Sequence, residues 1–175
     1  NPIEGPTSAG TWYYPGGGVH LGVDRAVSVG TPIHAPADGL IVWAANPADT
    51  NGGYLGNWAG YPYGAGNNIA MLVRVNDTTY FVSFSHMAQY GMTVSAGDSV
   101  SQGDMIGLTG NSGNSSGAHC HIEIINLGSM SISEAASQFA STADFAWGCG
   151  WSSPSTGCDS KGSTPCRERP ETLIG

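Results

Sequence analysis

The chain has 175 residues, of which only 10% are charged, and 13 acidic against 5 basic residues give a formal net charge of −8. This balance argues against nucleic acid or an anionic membrane surface as a partner, because both are bound through clusters of basic side chains and the sequence has none. A domain of this size buries roughly 70% of its unfolded surface, so a bound metal would serve function before folding.

The amino-acid composition indicates a mostly β protein. Glycine accounts for 27 residues, and Ser, Thr and Asn supply most of the polarity, which is typical of strands and turns rather than of exposed helices. No apolar run approaches the roughly 20 residues of a membrane span, and the chain starts at Asn1 without an initiator Met or a signal sequence. We therefore expect a mature form or an excised domain.

The first 18 residues are too rich in Gly and Pro for a long regular element, which predicts an arm or a loop. His20 and Asp24 follow directly, with Gly22 between them. The glycines ahead of His20 and Gly22 itself disfavour a helix here. In an extended segment, side chains four positions apart lie on the same face, so His20 and Asp24 can converge on one point.

Short strands are expected in residues 25–45, and the next segment, residues 46–68, is long for a loop and rich in Asn and Gly. Long loops in compact domains usually carry function, and aromatic side chains on such a backbone can form an adaptable wall for a ligand. The alternative is that these rings pack the loop onto the sheet. The candidate wall residues are Tyr54, Trp58, Tyr61 and Tyr63.

The clearest hairpin is predicted for residues 69–86, with a turn at Asn76 and Asp77. Its second strand ends at His86. Two further short strands and then a turn of Gly, Ser and Asn are predicted at 94–100, 103–110 and 111–117.

The segment 117–124 places two imidazoles one residue apart in an apolar run. As a strand it would present His119, His121 and Glu123 on one face and Cys120 on the other, where the thiol packs in the core. Two histidines on one strand face suit a metal. Glu123 could accept a hydrogen bond from the outer nitrogen of a ligand histidine and orient it, and the alternative is a solvated carboxylate at the sheet edge.

A single helix is predicted for residues 132–145, with Ser133 and Glu134 near its start. The tail beyond it is rich in Ser, Pro and Gly and has no predicted element. Its crowded cysteines predict a disulfide, which favours a secreted setting, but their spacing does not decide which two of them pair. These are Cys149, Cys158 and Cys166. Cys120 is expected to remain a free thiol.

The histidines and Asp24 offer the ligands of a zinc site. Catalytic zinc takes three protein ligands from His, Asp, Glu or Cys and keeps a fourth position for water. His20, Asp24 and either His119 or His121 provide such a set. Zinc lowers the pKa of that water toward about 7 and polarises a carbonyl, so a nearby unligated imidazole can accept the proton. A fifth histidine, His34, is expected to be a hydrogen-bonded or surface residue outside this set.

Five separated blocks occur in one order within residues 1–125. They are His20-x-x-x-Asp24, Ser85-His86-Met87, Gly97-Asp98 with Ile106-Gly107, Gly110-Asn111-Ser112-Gly113 and His119-x-His121. Together they resemble the lysostaphin and LytM type of zinc endopeptidase, which cuts peptide bonds in peptidoglycan. The resemblance implies a twisted antiparallel sheet with a groove, the metal on its floor and loops as its walls, one of them residues 46–68. The tail carries no such resemblance.

The resemblance also implies residue roles: His20, Asp24 and His121 hold one zinc ion. His119 and His86 would flank the activated water as base and transition-state stabiliser. Residues 1–128 would form the catalytic core, and residues 129–175 a C-terminal extension, with a helix and a Cys-rich tail, packed on the same domain.

The leading hypothesis is a secreted, bacteriolytic endopeptidase of bacterial or phage origin that acts on peptidoglycan stems or cross-bridges at the cell wall. The alternatives are a non-catalytic wall-binding or activator module and a His-rich, cupin-like metal enzyme. The presence of all five site residues counts against the module, and the ligand spacing against the cupin-like enzyme. Because an acidic domain is not drawn to an anionic wall by charge, we expect a monomer within a longer protein that has a separate targeting domain.

Overall fold

The structure is a computed structural model, and it describes residues 1–12, 19–48, 64–142 and 157–174. The expectation of a mainly β protein built on an antiparallel sheet is confirmed. The elements of the described residues are β1 Thr7–Ala9, β2 Val23–Ala26, β3 Pro32–His34, β4 Gly39–Ala45, β5 Asn67–Val75, β6 Thr78–Met87, β7 Ser99–Val100, β8 Met105–Leu108, β9 His119–Asn126, α1 Ile132–Thr142, α2 Cys158–Lys161, β10 Cys166–Glu168 and α3 Pro170–Ile174.

One antiparallel sheet runs in the order β1-β2-β9-β6-β5-β4-β7, and β3 pairs with β8 in a small second sheet. Strand β9 is an interior strand of the main sheet, with neighbours along both edges. One of its edges pairs with β6. Along the other edge, residues 119–122 pair with β2 and residues 124–126 pair with β10. The beginning and the end of the chain therefore share the same edge of β9.

The side chains of β9 alternate between two layers, as a strand requires. Cys120 and Ile122 point into a core that includes residues of the second sheet. On the opposite face, Ile125 packs beneath α1 together with Phe81 and Phe139. His119, His121 and Glu123 share that face by the same alternation. The histidines and α1 therefore occupy the two ends of one face of the sheet.

Helix α1 begins with a reciprocal cap. The Ser131 hydroxyl accepts a hydrogen bond from the Glu134 backbone N–H at 3.1 Å, and the Glu134 carboxylate accepts one from the Ser131 N–H at 3.0 Å. This capping box places the start of the helix one residue after Ser131. The helix ends at Thr142, and the last three residues of the predicted helix lie outside the described ranges. None of the helices in those ranges is long and apolar enough to cross a membrane.

The predicted hairpin is confirmed as β5 and β6, whereas the strand predicted at 94–100 is wrong for all but its last two residues. Ser95 and Asp98 form a turn there, because the Asp98 carboxylate accepts a hydrogen bond from the Ser95 N–H at 2.9 Å. An aspartate that bonds the backbone of its own segment favours a turn over a strand. The N-terminal arm, predicted as a loop, contains the short strand β1, which pairs with β2.

The tail was expected to lack regular elements, and this expectation is wrong for residues 157–174. Two short helices and β10 form there. The predicted disulfide joins Cys158 to Cys166, and Cys120 is confirmed as a buried free thiol. Cys149 lies outside the described residues. Strand β10 pairs with the end of β9, which is distant in sequence, so no local pattern predicts it.

Candidate active site

Pairing between β2 and β9 brings the first two site residues together. Asp24 lies directly opposite His121 in the register of the two strands. His20 precedes β2 and is buried, with 1% of its surface exposed. The extended segment expected for residues 20–24 is therefore present only from Val23 onward, yet His20 still reaches Asp24.

Three ligand atoms meet at this point. His121 Nδ1 lies 2.8 Å from Asp24 Oδ1 and 2.9 Å from His20 Nε2, and His20 Nε2 lies 3.1 Å from Asp24 Oδ1. Ligand atoms about 2.0 to 2.1 Å from a tetrahedral zinc ion would be roughly 3.3 Å apart. The triangle is therefore close to the size that such an ion requires.

In His20 and His121, the ring nitrogen that points away from Asp24, here called the outer nitrogen, determines whether the inner nitrogen at the triangle can bind a metal. His20 Nδ1 lies 2.9 Å from the carbonyl oxygen of Gly10, and His121 Nε2 lies 3.0 Å from Glu123 Oε1. A carbonyl or a carboxylate oxygen can only accept, so both outer nitrogens carry hydrogen. In the neutral rings, which a metal ion requires, the inner nitrogens then present lone pairs toward Asp24. Two lone pairs and a carboxylate oxygen at one point are the donor set of a metal ion.

The charges around the ligand triangle also favour a cation at this point. Burial alone would raise the pKa of Asp24, but hydrogen bonds from His121 and His20 hold that pKa well below its usual range. Burial alone would lower the pKa of His121, but its hydrogen bonds with Asp24 and Glu123 raise it to about 9. The carboxylates therefore favour a positive charge among the imidazoles. A metal ion that binds here competes with a proton for that place.

Two further imidazoles lie beside the ligand triangle. The ring centroids of His86 and His119 are 4.6 Å apart. His86 Nδ1 donates to the carbonyl of Ser112 at 2.7 Å, and His119 Nδ1 donates to the carbonyl of Gly117 at 2.8 Å. In the neutral ring, Nε2 of each histidine is consequently an acceptor. His119 Nε2 lies 3.7 Å from the Asp24 carboxylate, so it faces the triangle.

His86 has an uncommon backbone conformation and a strongly lowered pKa. Its backbone has a φ of 61°, a left-handed conformation that is uncommon for residues other than glycine and is often associated with functional sites. Burial, and then the charges of His119 and His121, lower the pKa of His86 to about 3. The ring is therefore neutral near pH 7.

Glu123 and the tail form an outer layer that the sequence only partly predicted. The hydrogen bond from His121 to Glu123 is present, and Glu123 is buried, so the alternative of a solvated edge carboxylate is wrong. Burial would raise the pKa of Glu123, but the charge of Arg167 and the hydrogen bond from His121 lower it to about 2. Arg167 was missed altogether. It lies in the tail, where only the neighbouring Cys166, a disulfide candidate, indicated order.

The remaining candidates lie elsewhere. His34 belongs to β3 in the second sheet, away from the other four histidines. The predicted wall residues Tyr54, Trp58, Tyr61 and Tyr63 all lie outside the described residues.

Comparison with known proteins relates this geometry to a family. The profile of Peptidase family M23 matches residues 18–132. The peptidoglycan DD-endopeptidase ShyA of Vibrio cholerae is 34% identical over 109 residues, which are 62% of this chain and 21% of ShyA. Lysostaphin of Staphylococcus staphylolyticus is 32% identical over 144 residues, which are 81% of this chain and 26% of lysostaphin.

A solved structure is similar as well. The catalytic domain of the antimicrobial peptidase lysostaphin from Staphylococcus simulans matches with a TM-score of 0.50 and 30% identity, over 73% of this chain and 82% of that domain. The chain spans about a fifth to a quarter of the length of the curated relatives named above.

Proposed function

The chain belongs to peptidase family M23, and from this membership and the geometry of its site we propose that it is a zinc-dependent endopeptidase that hydrolyses peptide bonds in bacterial peptidoglycan. The bonds would lie in stem peptides or cross-bridges, and the place of action would be the cell wall, outside the cytoplasm. The observation that carries the proposal is the orientation of four imidazoles. With their outer nitrogens donating, two can present lone pairs beside a carboxylate, and the two others use Nδ1 for a backbone carbonyl, which leaves Nε2 as the acceptor atom next to them.

The residues that would hold zinc are His20 through Nε2, Asp24 through Oδ1 and His121 through Nδ1. When bound, zinc supplies a Lewis acid that lowers the pKa of a water molecule and polarises the scissile carbonyl. The ring of His20 is oriented by the Gly10 carbonyl and the ring of His121 by the Glu123 carboxylate.

His119 would move a proton, and His86 would stabilise the transition state. His119 Nε2 would accept the proton of the attacking water and donate it to the leaving amine, and the 17% exposure of its side chain supports access by a substrate. His86 is more deeply buried, and its Nε2 would accept a hydrogen bond from the water. That neutral nitrogen would keep accepting from the remaining hydrogen of the attacking oxygen as the tetrahedral transition state forms, which stabilises that state.

The test compares hydrolysis of purified peptidoglycans with different cross-bridges, with the fragments identified by mass spectrometry. The zinc-loaded parent should release defined peptides. His20→Ala should lose both zinc and cleavage, whereas His119→Ala should keep zinc and lose roughly 100- to 10,000-fold in rate, as expected for a missing general base. His34→Ala is the matched control, because it removes a histidine outside the site, and it should behave as the parent.

Two outcomes would refute the proposal. A parent that binds zinc and cuts none of the walls would support the non-catalytic wall-binding module instead. A parent that cuts peptidoglycan equally well after zinc removal would exclude the proposed metal chemistry.

We also propose a domain organisation and an oligomeric state for the protein. Residues 1–128 would be the catalytic core and residues 129–175 an extension on the same domain, with the aromatic residues of segment 46–68 as one wall of the groove. The chain would act as a monomer within a longer protein that carries a separate targeting domain. Its share of the relatives' length and its net charge of −8 support this proposal. Tight pelleting of the chain alone with purified walls would contradict it.

A further inference from the structure

The end of the chain returns to the candidate metal centre. Strand β10 pairs with β9 immediately beyond the residues that pair with β2, and its Arg167 lies opposite Ile125. The disulfide between Cys158 and Cys166 joins this strand to α2. Arg167 has 1% of its surface exposed. A guanidinium so deeply buried needs an ionic partner.

That partner is the carboxylate that orients His121. Arg167 Nη1 donates to Glu123 Oε2, and His121 Nε2 donates to Glu123 Oε1 at 3.0 Å. The two oxygens of one carboxylate are thus divided between the tail and a candidate ligand. Arg167 fixes the carboxylate in place, and the carboxylate in turn fixes the tautomer and the ring plane of His121.

A second chain of contacts runs from the tail to His20. Glu171 in α3 accepts hydrogen bonds from the N–H and the hydroxyl of Thr11, both at 2.6 Å. The N–H of Thr11 and the carbonyl of Gly10 belong to the same peptide group, and that carbonyl accepts the hydrogen bond from His20 Nδ1 at 2.9 Å. An anion that accepts from the N–H of a peptide strengthens its carbonyl as an acceptor. Glu171 therefore acts on His20 through one peptide.

We propose that β10 and α3 are a positioning element for the metal centre, in which Arg167 acts on His121 through Glu123 and Glu171 acts on His20 through the Gly10–Thr11 peptide. The inference rests on the proposed function in one respect, because it takes His20 and His121 as ligands. Outer partners of this kind fix ligand orientation and raise ligand basicity, and their loss weakens metal binding by about 10- to 100-fold.

Stability alone does not explain the buried pair. An ion pair removed from water loses much solvation free energy, and apolar side chains of similar volume often stabilise a protein at least as well. A carboxylate at position 123 has a specific consequence that an apolar residue would not have, because it supplies the acceptor for His121 Nε2.

The experiment measures the zinc dissociation constant of the full chain by competition with a chromophoric chelator, and the visible spectrum of the cobalt-substituted protein. Arg167→Met should weaken zinc binding about 10- to 100-fold and alter the cobalt spectrum. Glu171→Gln should give a smaller loss in the same direction. Asp159→Asn is the matched control, because it breaks the exposed ion pair with Arg169 in the same extension, and it should bind zinc as the parent does.

A paired variant separates positioning from folding. Arg167→Met leaves the Glu123 carboxylate buried without its ion-pair partner, so this variant is expected to unfold at a lower temperature. Glu123→Met combined with Arg167→Met removes both charges and should recover most of the thermal midpoint. Its zinc affinity should nevertheless stay about 10- to 100-fold below that of the parent, because His121 has lost its acceptor.

The result that overturns the inference is parental zinc affinity in the paired variant and in Glu171→Gln. Both variants carry the test even where Arg167→Met alone fails to fold. Failure of the proposed function looks different, because the parent itself would then bind no zinc or cut no peptidoglycan. A parent that binds zinc tightly, with variants that bind it equally well, refutes the positioning role alone.

Discussion

Gly22 lies between His20 and Asp24, at a position where β2 runs against β9 without room for a side chain. A Cβ at this position would lie 2.0 Å from the carbonyl oxygen of Ile122 and 3.0 Å from the Cγ of Glu123. Gly22 does not need a positive φ, so the close approach alone requires glycine. The substitution Gly22→Ala therefore tests whether the spacing of β2 and β9 sets the geometry of the ligand triangle.

The displacement can be estimated from the contact. Real Cβ atoms come no closer than 3.0 Å to such an oxygen, so the 2.0 Å contact requires a shift of about 1 Å between the strands. Asp24 and His121 lie opposite each other in these strands, with 2.8 Å between their ligand atoms. Metal–ligand distances tolerate only about ±0.2 Å. We expect a loss of about 1–3 kcal/mol in the free energy of unfolding from overpacking, and a loss of at least about tenfold in zinc affinity.

The assay combines denaturant unfolding of the zinc-free protein with zinc competition titration of the folded protein. Gly117→Ala is the control, since a Cβ at Gly117 would meet no atom within 4 Å beyond its own chain neighbours, and it should leave both quantities nearly unchanged. If Gly22→Ala lost stability but bound zinc like the parent, the strands would have absorbed the methyl group without moving the ligands. That result would refute the link between strand spacing and the triangle.

Phe139 of α1 packs on Phe81 of β6, so Phe139→Ala should lower the free energy of unfolding by about 3–5 kcal/mol in a denaturant titration, without changing zinc affinity. A loss as small as that of a helix cap would contradict this packing. Ser131→Ala should cost about 1 kcal/mol in the same titration, whereas Ser133→Ala, the serine that the sequence placed near the helix start, should cost less. Burial raises the pKa of the Cys120 thiol, so in a Cys149→Ala background a thiol reagent should label Cys120 only after unfolding, and labelling of the native protein would contradict its burial.

The alternation of side chains along β9 could be predicted from the sequence because it is a local property. A strand at residues 119–126 places His119, His121 and Glu123 on one face and Cys120 in the core, and the structure has this arrangement. The hairpin of β5 and β6 was equally local, since its turn residues and apolar runs are adjacent in sequence. What could not be predicted from periodicity alone was which distant residues those faces meet.

The outer layer of the site illustrates that limit. Arg167 and Glu123 are 44 positions apart, and the segment that carries Arg167 has no apolar periodicity that would predict a strand. Strand β10 forms because the end of β9 offers an unpaired edge that β2 does not reach. Its stability depends on a tertiary contact rather than on local propensity, and β propensity is largely such a packing effect.

The four histidines of the site differ in the acceptor that each ring bonds and in how burial affects the ring. His20, His86 and His119 donate to neutral backbone carbonyls, whereas His121 donates to the ionised carboxylate of Glu123. Burial lowers the pKa of His86 to about 3, while for His121 the opposing effect of burial is exceeded by hydrogen bonds to two carboxylates, which raise its pKa to about 9. His121, whose pKa is raised, thus lies opposite Asp24, where a cation is expected, and the neutral ring of His86 lies beside it as a hydrogen-bond acceptor. Because Arg167 keeps the Glu123 carboxylate ionised, this difference depends on a residue of the tail.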